Sequence, residues 1–320
     1  MKAAVSDRYG PPEVVQIKDV PVPVLKAGEL LVESHAATVN SGDARLRALR
    51  VPRGMSALVR LTMGVTKPRR SVLGFEVAGR VTEVATGVSG FQPGDRVIAS
   101  RGFKFGCHAE YVTVAEHGQV ARIPDNLSYN AAVALCFGGS TALYFLERGK
   151  LSAGDSILIN GASGAVGTIA VQLAKHRGAE VTAVCSSANV EVMRGLGADH
   201  VIDYTTQDFT QNGRYDVVMD TVGNAQYARV KDSLKPGGRV LMVVGDLFQS
   251  LAWAWQRATV GGTSKVSGEI YRTLMSLAEQ GVLKPVIDTV LPFEQIVEAH
   301  RRVDGGHKVG SIVLTFGKDR

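Results

Sequence analysis

The sequence predicts an α/β fold in two parts, a β-rich antiparallel, barrel-like unit and a doubly wound parallel sheet with helices. Two observations carry this. The first third of the chain is a series of short β-branched stretches broken by Pro and Gly. From Ser152 onward the rhythm becomes apolar strands alternating with helically spaced segments, joined by short links. The length, 320 residues, fits such a division, because domains run to about 100–200 residues.

In the first part the expected strands are residues 2–5, 14–20, 30–40, 75–85, 96–99 and 110–115. Between the fourth and fifth stands Gln92-Pro93-Gly94-Asp95, a turn in which Pro presets φ and Gly supplies a positive φ. In the second part, 156–160 reads as a buried strand and 166–176 as a helix, with Val166, Ile169, Ala170, Leu173 and Ala174 on one face. A strand at 180–184 and a helix at 189–196 closed by Gly197 follow. Beyond them come strands at 201–202, 216–220 and 239–245, with a helix near 225–234. Helices at 270–280 and 293–303 and a strand at 311–316 complete the chain. The charge-free run 127–146 contains Gly138-Gly139 and is bounded by Asp125 and Glu147, and it reads as buried helices rather than a membrane span.

Composition narrows the function. Hydrophobic residues make up 45% and charged residues 21%, a globular balance that requires no disulfide or metal staple at this length. The net charge of +6 is local: Arg45, Arg47, Arg50, Arg53, Arg60, Lys67, Arg69 and Arg70 form a run without an acid. Removing these eight from the 36 Lys and Arg leaves fewer cations than the 30 Asp and Glu. That pattern argues for a local anion site and against a nucleic-acid-binding body. Most of the eight are expected on a solvated surface. Cys107, Cys136 and Cys185 are sparse and unpaired in spacing, and the first residues hold no signal-peptide core. The expected setting is therefore reducing and cytoplasmic.

The strongest local motif is Gly161-Ala162-Ser163-Gly164-Ala165-Val166-Gly167, after a strand and at the mouth of a helix. Gly161 and Gly164 permit a tight turn and close approach to a pyrophosphate, and Gly167 permits close helix packing. The order G-x-x-G-x-x-G differs from the usual dinucleotide fingerprint, and Ala165 excludes a nucleophile elbow. With this turn, the segments 39–43, 73–79, 93–97, 109–112, 172–175, 196–204, 284–288 and 306–310 together resemble the medium-chain dehydrogenase/reductase superfamily. The resemblance is to its zinc-free quinone oxidoreductase-like branch, and it runs nearly end to end.

The resemblance implies a GroES-like catalytic domain from residues 1–123 and 267–320 around a Rossmann NAD(P)-binding domain at 124–266. It also implies a zinc-independent reductase that transfers hydride to a quinone, enone or enoyl-type acceptor. No metal site is expected, because Ser41 and Phe75 stand near the positions where zinc relatives carry ligands and the four-cysteine lobe is missing. A conjugated acceptor suits such a site, since hydride addition yields an enolate or hydroquinone anion that delocalises its own charge. Asn40 would lie beside the nicotinamide with Asp43 bracing its turn, and Thr141, at the start of a helix, would contact the nicotinamide or ribose. Gly161, Gly164, Ala165, Val166 and Gly167 would form the pyrophosphate turn. Val222-Gly223 and Val244-Gly245 would stand at strand ends where the ligand crosses. Asn40 and Thr141 could instead be helix caps, and the glycines plain turn residues.

The cofactor expected is NADPH, with NADH as the alternative. The second strand ends in Cys185-Ser186-Ser187 without an acid, Ser186 and Ser187 can donate hydrogen bonds, Arg194 offers a charge, and Tyr204 matches an adenosine-side Tyr of the branch. Where quinone reductases of the branch often carry Tyr, this chain has Arg45, which can stabilise an anion but cannot donate a proton at neutral pH. Expected partners are a small conjugated carbonyl or quinone and a second copy of the chain, paired near 263–267, with the tryptophan-bearing stretch 247–258 at the cleft or the dimer contact. A peripheral membrane contact through 45–70 is the runner-up role for the basic run. The competing readings are a non-catalytic cofactor-binding, membrane- or RNA-associated protein on the same fold, and a zinc-free alcohol dehydrogenase.

Overall fold

The structure is a computed structural model that describes residues 1–50, 56–244, 258–262, 264 and 266–317, with the backbone alone for 56–58. Arg53, Gly245, the tryptophan-bearing stretch 247–257, Thr263 and Lys265 lie outside the described residues.

The β-rich part begins with β1 (Lys2–Ser6) and β2 (Val15–Asp19), an antiparallel pair. Strands β3 (Glu29–Val39), β4 (Glu76–Val84), β5 (Arg96–Ser100), β6 (Tyr111–Ala115) and β7 (Gln119–Arg122) follow. Helices α1 (Ser41–Arg47) and α2 (Ser56–Met63) lie between β3 and β4. The expected turn before β5 forms: Gly94 has φ +96°, and the Asp95 amide donates to the Gln92 carbonyl at 3.1 Å.

Helix α3 (Tyr129–Arg148) runs unbroken for 20 residues from its N-cap Ser128, where the sequence led us to expect separate helices. Gly138-Gly139 packs rather than interrupts. A Cβ on Gly138 would stand 2.0 Å from the Ala165 carbonyl oxygen, and one on Gly139 2.8 Å from Leu274. Thr141 is therefore buried mid-helix and not at a helix start. By length and apolarity α3 could cross a membrane, but 72% of its most apolar window is buried in the protein.

The second part is a six-stranded parallel sheet. Its strands are β8 (Ser156–Asn160), β9 (Glu180–Cys185), β10 (His200–Asp203), β11 (Tyr215–Asp220), β12 (Leu234–Met242) and β13 (Thr259–Gly261). The spatial order is β10-β9-β8-β11-β12-β13. Every residue of β8 is buried, as a strand covered on both faces must be. The covering helices include α4 (Ala165–His176), α5 (Val190–Gly195) and α6 (Tyr227–Val230). The chain then returns to the first part through α7 (Gly268–Glu279), β14 (Ile287–Pro292), α8 (Ile296–Gly305) and β15 (Ser311–Thr315). β14 and β15 join the sheet of β3, giving the order β14-β15-β3-β4-β5-β7 with β6 on β3.

Strand order reverses between β8 and β11, whose ends register at Asn160 and Asp220. In open α/β sheets ligands bind outside the carboxyl ends of the strands at such a reversal. Both parts meet there: Gly310, just before β15, bridges Gly164 and donates its amide to the Ser163 carbonyl at 2.8 Å.

Candidate active site

Two walls face each other across a cleft of about 1110 Å³. The first wall is built where β3 passes into α1. Asn40 holds extended backbone angles and caps α1 with its side chain: Oδ1 accepts from the Gly42 amide at 2.8 Å and the Asp43 amide at 3.1 Å. Asp43 answers by accepting from the Asn40 amide at 3.0 Å. Its other oxygen, Oδ1, is buried without a hydrogen-bond partner, and burial pushes its carboxyl up to about 7. The capping alternative thus holds for Asn40, yet it leaves one group over: Asn40 Nδ2 is buried without a partner. A buried amide donor left unmade costs free energy that a ligand can restore.

The second wall is the glycine turn. Gly161 has φ +78°, and a Cβ there would stand 2.4 Å from Thr221 Oγ1, so only glycine fits. A Cβ on Gly167 would stand 2.3 Å from the Gly161 carbonyl, which explains the close seating of α4. At Gly164 a Cβ would meet nothing closer than 3.5 Å; this residue is the N-cap of α4, and no side chain caps the helix. The first amides of a 12-residue helix are left facing the cleft, an arrangement suited to an anion. Beneath the turn, Asn160 Nδ2 donates to Asp220 Oδ1 at 2.9 Å, and buried Asp220 accepts from the amides of Val222, Gly223 and Ala225.

Of the expected site residues, Asn40, Arg45, Gly161, Gly164, Ala165, Val166, Tyr204, Val222 and Val244 line this cleft together. Asp43, Thr141, Gly167, Ser186, Ser187 and Gly223 do not. Ser187 is committed elsewhere: its hydroxyl donates to Asp203, and together with Thr205 it holds that carboxyl below the usual carboxylate range. Arg194, the expected charge, pairs instead with Glu191 at 2.6 Å.

Two cations in the cleft were not expected. Arg229 lies over the Phe209 ring, 4.9 Å from its centroid, at the end bounded by Tyr204, Gln207 and Asp208. Lys308 reaches in from the C-terminal arm, its Nζ donating to the Gly310 carbonyl at 2.5 Å beside the glycine turn. Burial pushes its ammonium down to about 8. The basic run also divides. Arg47 is 1% exposed and pairs with Asp304 at 2.5 Å, with Arg50 on the same carboxylate, so these two are not free surface charges.

Comparison with known proteins follows the same outline. Residues 26–125 match the alcohol dehydrogenase GroES-like domain family and residues 196–314 the zinc-binding dehydrogenase family. A 2-methylene-furan-3-one reductase of Solanum lycopersicum is 34% identical, over 98% of this chain and 79% of its own length. The chain belongs to the medium-chain dehydrogenase/reductase superfamily, in its quinone oxidoreductase-like branch. An NADPH-dependent alkenal/one oxidoreductase of Arabidopsis thaliana is 32% identical, over 98% of this chain and 79% of its length. The quinone oxidoreductase structure from Coxiella burnetii superposes with a TM-score of 0.89 at 30% identity, covering 98% of this chain and 99% of that one.

In this member of the superfamily, Phe75 and Glu76, near the positions where zinc relatives carry ligands, are engaged in packing and hydrogen bonding, while Ser41 is exposed in the cleft. Phe75 packs edge-on against Phe105 at 4.9 Å between centroids. Glu76, 2% exposed, accepts from the Thr38 hydroxyl, and burial pushes it up to about 8. His108 Nε2 lies 2.8 Å from the Thr38 carbonyl. Among the described residues no three His, Cys, Asp or Glu side chains converge as metal ligands.

Proposed function

We propose that this protein is an NADPH-dependent, zinc-independent reductase that delivers hydride to a conjugated acceptor, a quinone, enone or enoyl-type substrate, with NADH as a poorer donor. The observation that carries the reading is the cleft itself. An uncapped helix N-terminus with its glycine turn faces a capped turn whose Asn40 Nδ2 is buried and unpaired. Single-ligand pockets run to about 300–1,000 Å³. A cleft of about 1110 Å³ has room for a dinucleotide and a small acceptor together.

Bound NADPH supplies the hydride. The chain's residues hold and orient it: the α4 amides and Lys308 at the pyrophosphate, Asn40 Nδ2 as a donor at the reactive end, and Arg229 and Tyr204 at the adenosine end. Arg45, exposed on the cleft side of α1, stabilises the anion formed when hydride arrives, and solvent returns the proton. Zinc independence is supported by Phe75 and the hydrogen-bonded Glu76, which leave too few ligands for a Lewis acid. The relatives' names as alkenal/one and quinone oxidoreductases support the acceptor class.

The same proposal includes a homodimer and a reducing, cytoplasmic setting, which suits three buried free thiols. A membrane role for 45–70 has less support, because Arg47 and Arg50 spend their charge on Asp304. The deciding experiment is steady-state oxidation of NADPH and NADH against a panel of quinones, enones and simple aldehydes, with light scattering for the oligomer. NADPH turnover with conjugated acceptors is the expected result. NADH at least about tenfold better than NADPH, or activity confined to plain alcohols and aldehydes, would reverse the reading.

A further inference from the structure

The two walls of the cleft are joined through one carboxylate. Asp304 stands near the end of α8, which packs against α1, and each of its oxygens takes one guanidinium. Oδ2 accepts from Arg47 Nη2 at 2.5 Å, and Oδ1 accepts from Arg50 Nη2. Arg47 is the last residue of α1 and its side chain is fully buried, while Arg50, three residues on, is 54% exposed. His300, one turn earlier on α8, is buried, and burial with His108 and Arg47 nearby holds its pKa well below the usual histidine value. It brings no charge at neutral pH, so among the described residues both guanidiniums find their ion-pair partner in Asp304.

Asp304 also opens the arm that crosses to the other wall. Gly306 ends α8 in a left-handed conformation, φ +76°, and Lys308 follows two residues later. The Val309 amide then donates to Asp288 at 3.0 Å, and the Gly310 amide donates to the Ser163 carbonyl in the glycine turn. Asp288 pairs in turn with Arg302 of α8 at 2.8 Å, which pins the arm to the helix that carries Asp304. The short path 304–310 thus leads from the glycine turn to the wall of Asn40 and Arg45, with polar contacts at both ends.

We propose that Asp304 is a positioning residue that transmits nucleotide binding at the glycine turn to α1, so that Asn40 and Arg45 are set for the acceptor once the pyrophosphate is in place. The nucleotide orders the arm around Lys308 and Gly310. Asp304, at the other end of the arm, holds Arg47 and Arg50 and with them the last turn of α1. Couplings of this kind commonly amount to about 5–150-fold. The inference rests on nucleotide binding in the cleft and not on the identity of the acceptor.

Hydrogen exchange of the full chain with and without saturating ADP-ribose tests this. ADP-ribose carries the pyrophosphate but not the nicotinamide that would touch Asn40, so protection of α1 has to travel through the protein. The amides of Ala48 and Arg50, which donate to the carbonyls of Ala44 and Arg45, are expected to exchange about fivefold or more slowly in the complex. In Asp304→Asn that protection is expected to shrink below about twofold, and Asp304→Glu, which keeps the carboxylate, should restore most of it. Asp304→Asn leaves buried Arg47 uncompensated and can disturb folding. Asp304→Asn combined with Arg47→Met removes both buried charges and serves as the second variant, with the same expectation. Equal protection in wild type and the folded asparagine variants overturns the proposal, as does wild type that binds ADP-ribose without protecting these amides. Failure of wild type to bind ADP-ribose would overturn the cofactor reading itself, and this inference with it.

Discussion

Asn40 and Asp43 each accept a hydrogen bond from the other's backbone amide, at 3.1 and 3.0 Å, and this reciprocal cap fixes the start of α1 while leaving Asn40 Nδ2 without a partner. The two roles of Asn40 can be separated. Serine caps helices about as well as asparagine, so Asn40→Ser should leave Tm nearly unchanged, whereas Asn40→Ala should cost about 1 kcal/mol. Both variants lose the amide donor, and both should weaken NADPH binding by roughly three- to tenfold. Fluorescence titration beside thermal melts measures the two effects. A serine variant that binds NADPH as tightly as wild type would show that Nδ2 plays no part.

Buried carboxyls give the fold an unusual pH dependence. Burial raises Glu76 from 4.5 to about 8 and Asp43 from 3.8 to about 7, so the native state keeps protons that the unfolded chain releases. Their contribution to stability is complete at low pH, declines as pH rises through that interval, and is lost above it. Glu76→Gln keeps an acceptor for the Thr38 hydroxyl and removes the titration. The variant's Tm relative to wild type should climb between about pH 4.5 and 8, by roughly 2 °C or more overall. A difference that stays flat across this range would mean that Glu76 ionises normally.

These features differ in how far they could be read from the chain. Local chemistry was legible: β-branched runs gave most strands, Pro93-Gly94 gave its turn, and Gly161 and Gly167 serve the tight turn and the close helix packing that their places indicate. Features set by distant packing were not. Gly138-Gly139 reads as a break until Ala165 and Leu274 are seen against it. Arg47 reads as a surface charge until Asp304 arrives from 257 residues away. Ser187 reads as a free donor until Asp203, one strand over, takes its hydroxyl. Arg229 carried no local signal and Lys308 stood in the 306–310 segment without a role, since only α6 after β11 and the return of the C-terminal arm bring them to the cleft.

Arg229 gives a prediction about cofactor choice. It is the cation at the end of the cleft near Tyr204, and the serines at the end of β9 do not reach that lining. Arg229→Gln should raise the Kd for NADPH about tenfold while changing that for NADH less than about twofold, because only the former carries the extra phosphate. Equal losses for the two nucleotides would assign Arg229 to packing on Phe209 instead.

Lys308 predicts a different pattern. Its burial beside the glycine turn lowers its ammonium to about 8, and a pyrophosphate there would stabilise the charged form. Lys308→Gln should therefore weaken NADPH, NADH and ADP-ribose alike, by roughly ten- to a hundredfold, and leave adenosine 2′-monophosphate unaffected. Binding of wild-type protein to NADPH should also take up protons near pH 8, which calorimetry in buffers of different ionisation enthalpy detects. If the variant weakens adenosine 2′-monophosphate as much as ADP-ribose, Lys308 does not act at the pyrophosphate.

Arg45 bears on the chemistry itself. Arg47 and Arg50 are held by Asp304, but Arg45, on the same helix as Arg47, faces the cleft with no side-chain partner among the described residues. A guanidinium cannot supply the proton at neutral pH, so the contribution proposed for Arg45 is electrostatic and grows as negative charge develops on the acceptor. Arg45→Ala should lower kcat/KM for quinones and enones by about tenfold, near 1.4 kcal/mol, with the NADPH Kd unchanged. Arg45→Lys, which restores the charge without the fork, should recover part of the loss. Unchanged kcat/KM in Arg45→Ala on every accepted substrate would leave the anion to be stabilised by solvent and backbone alone.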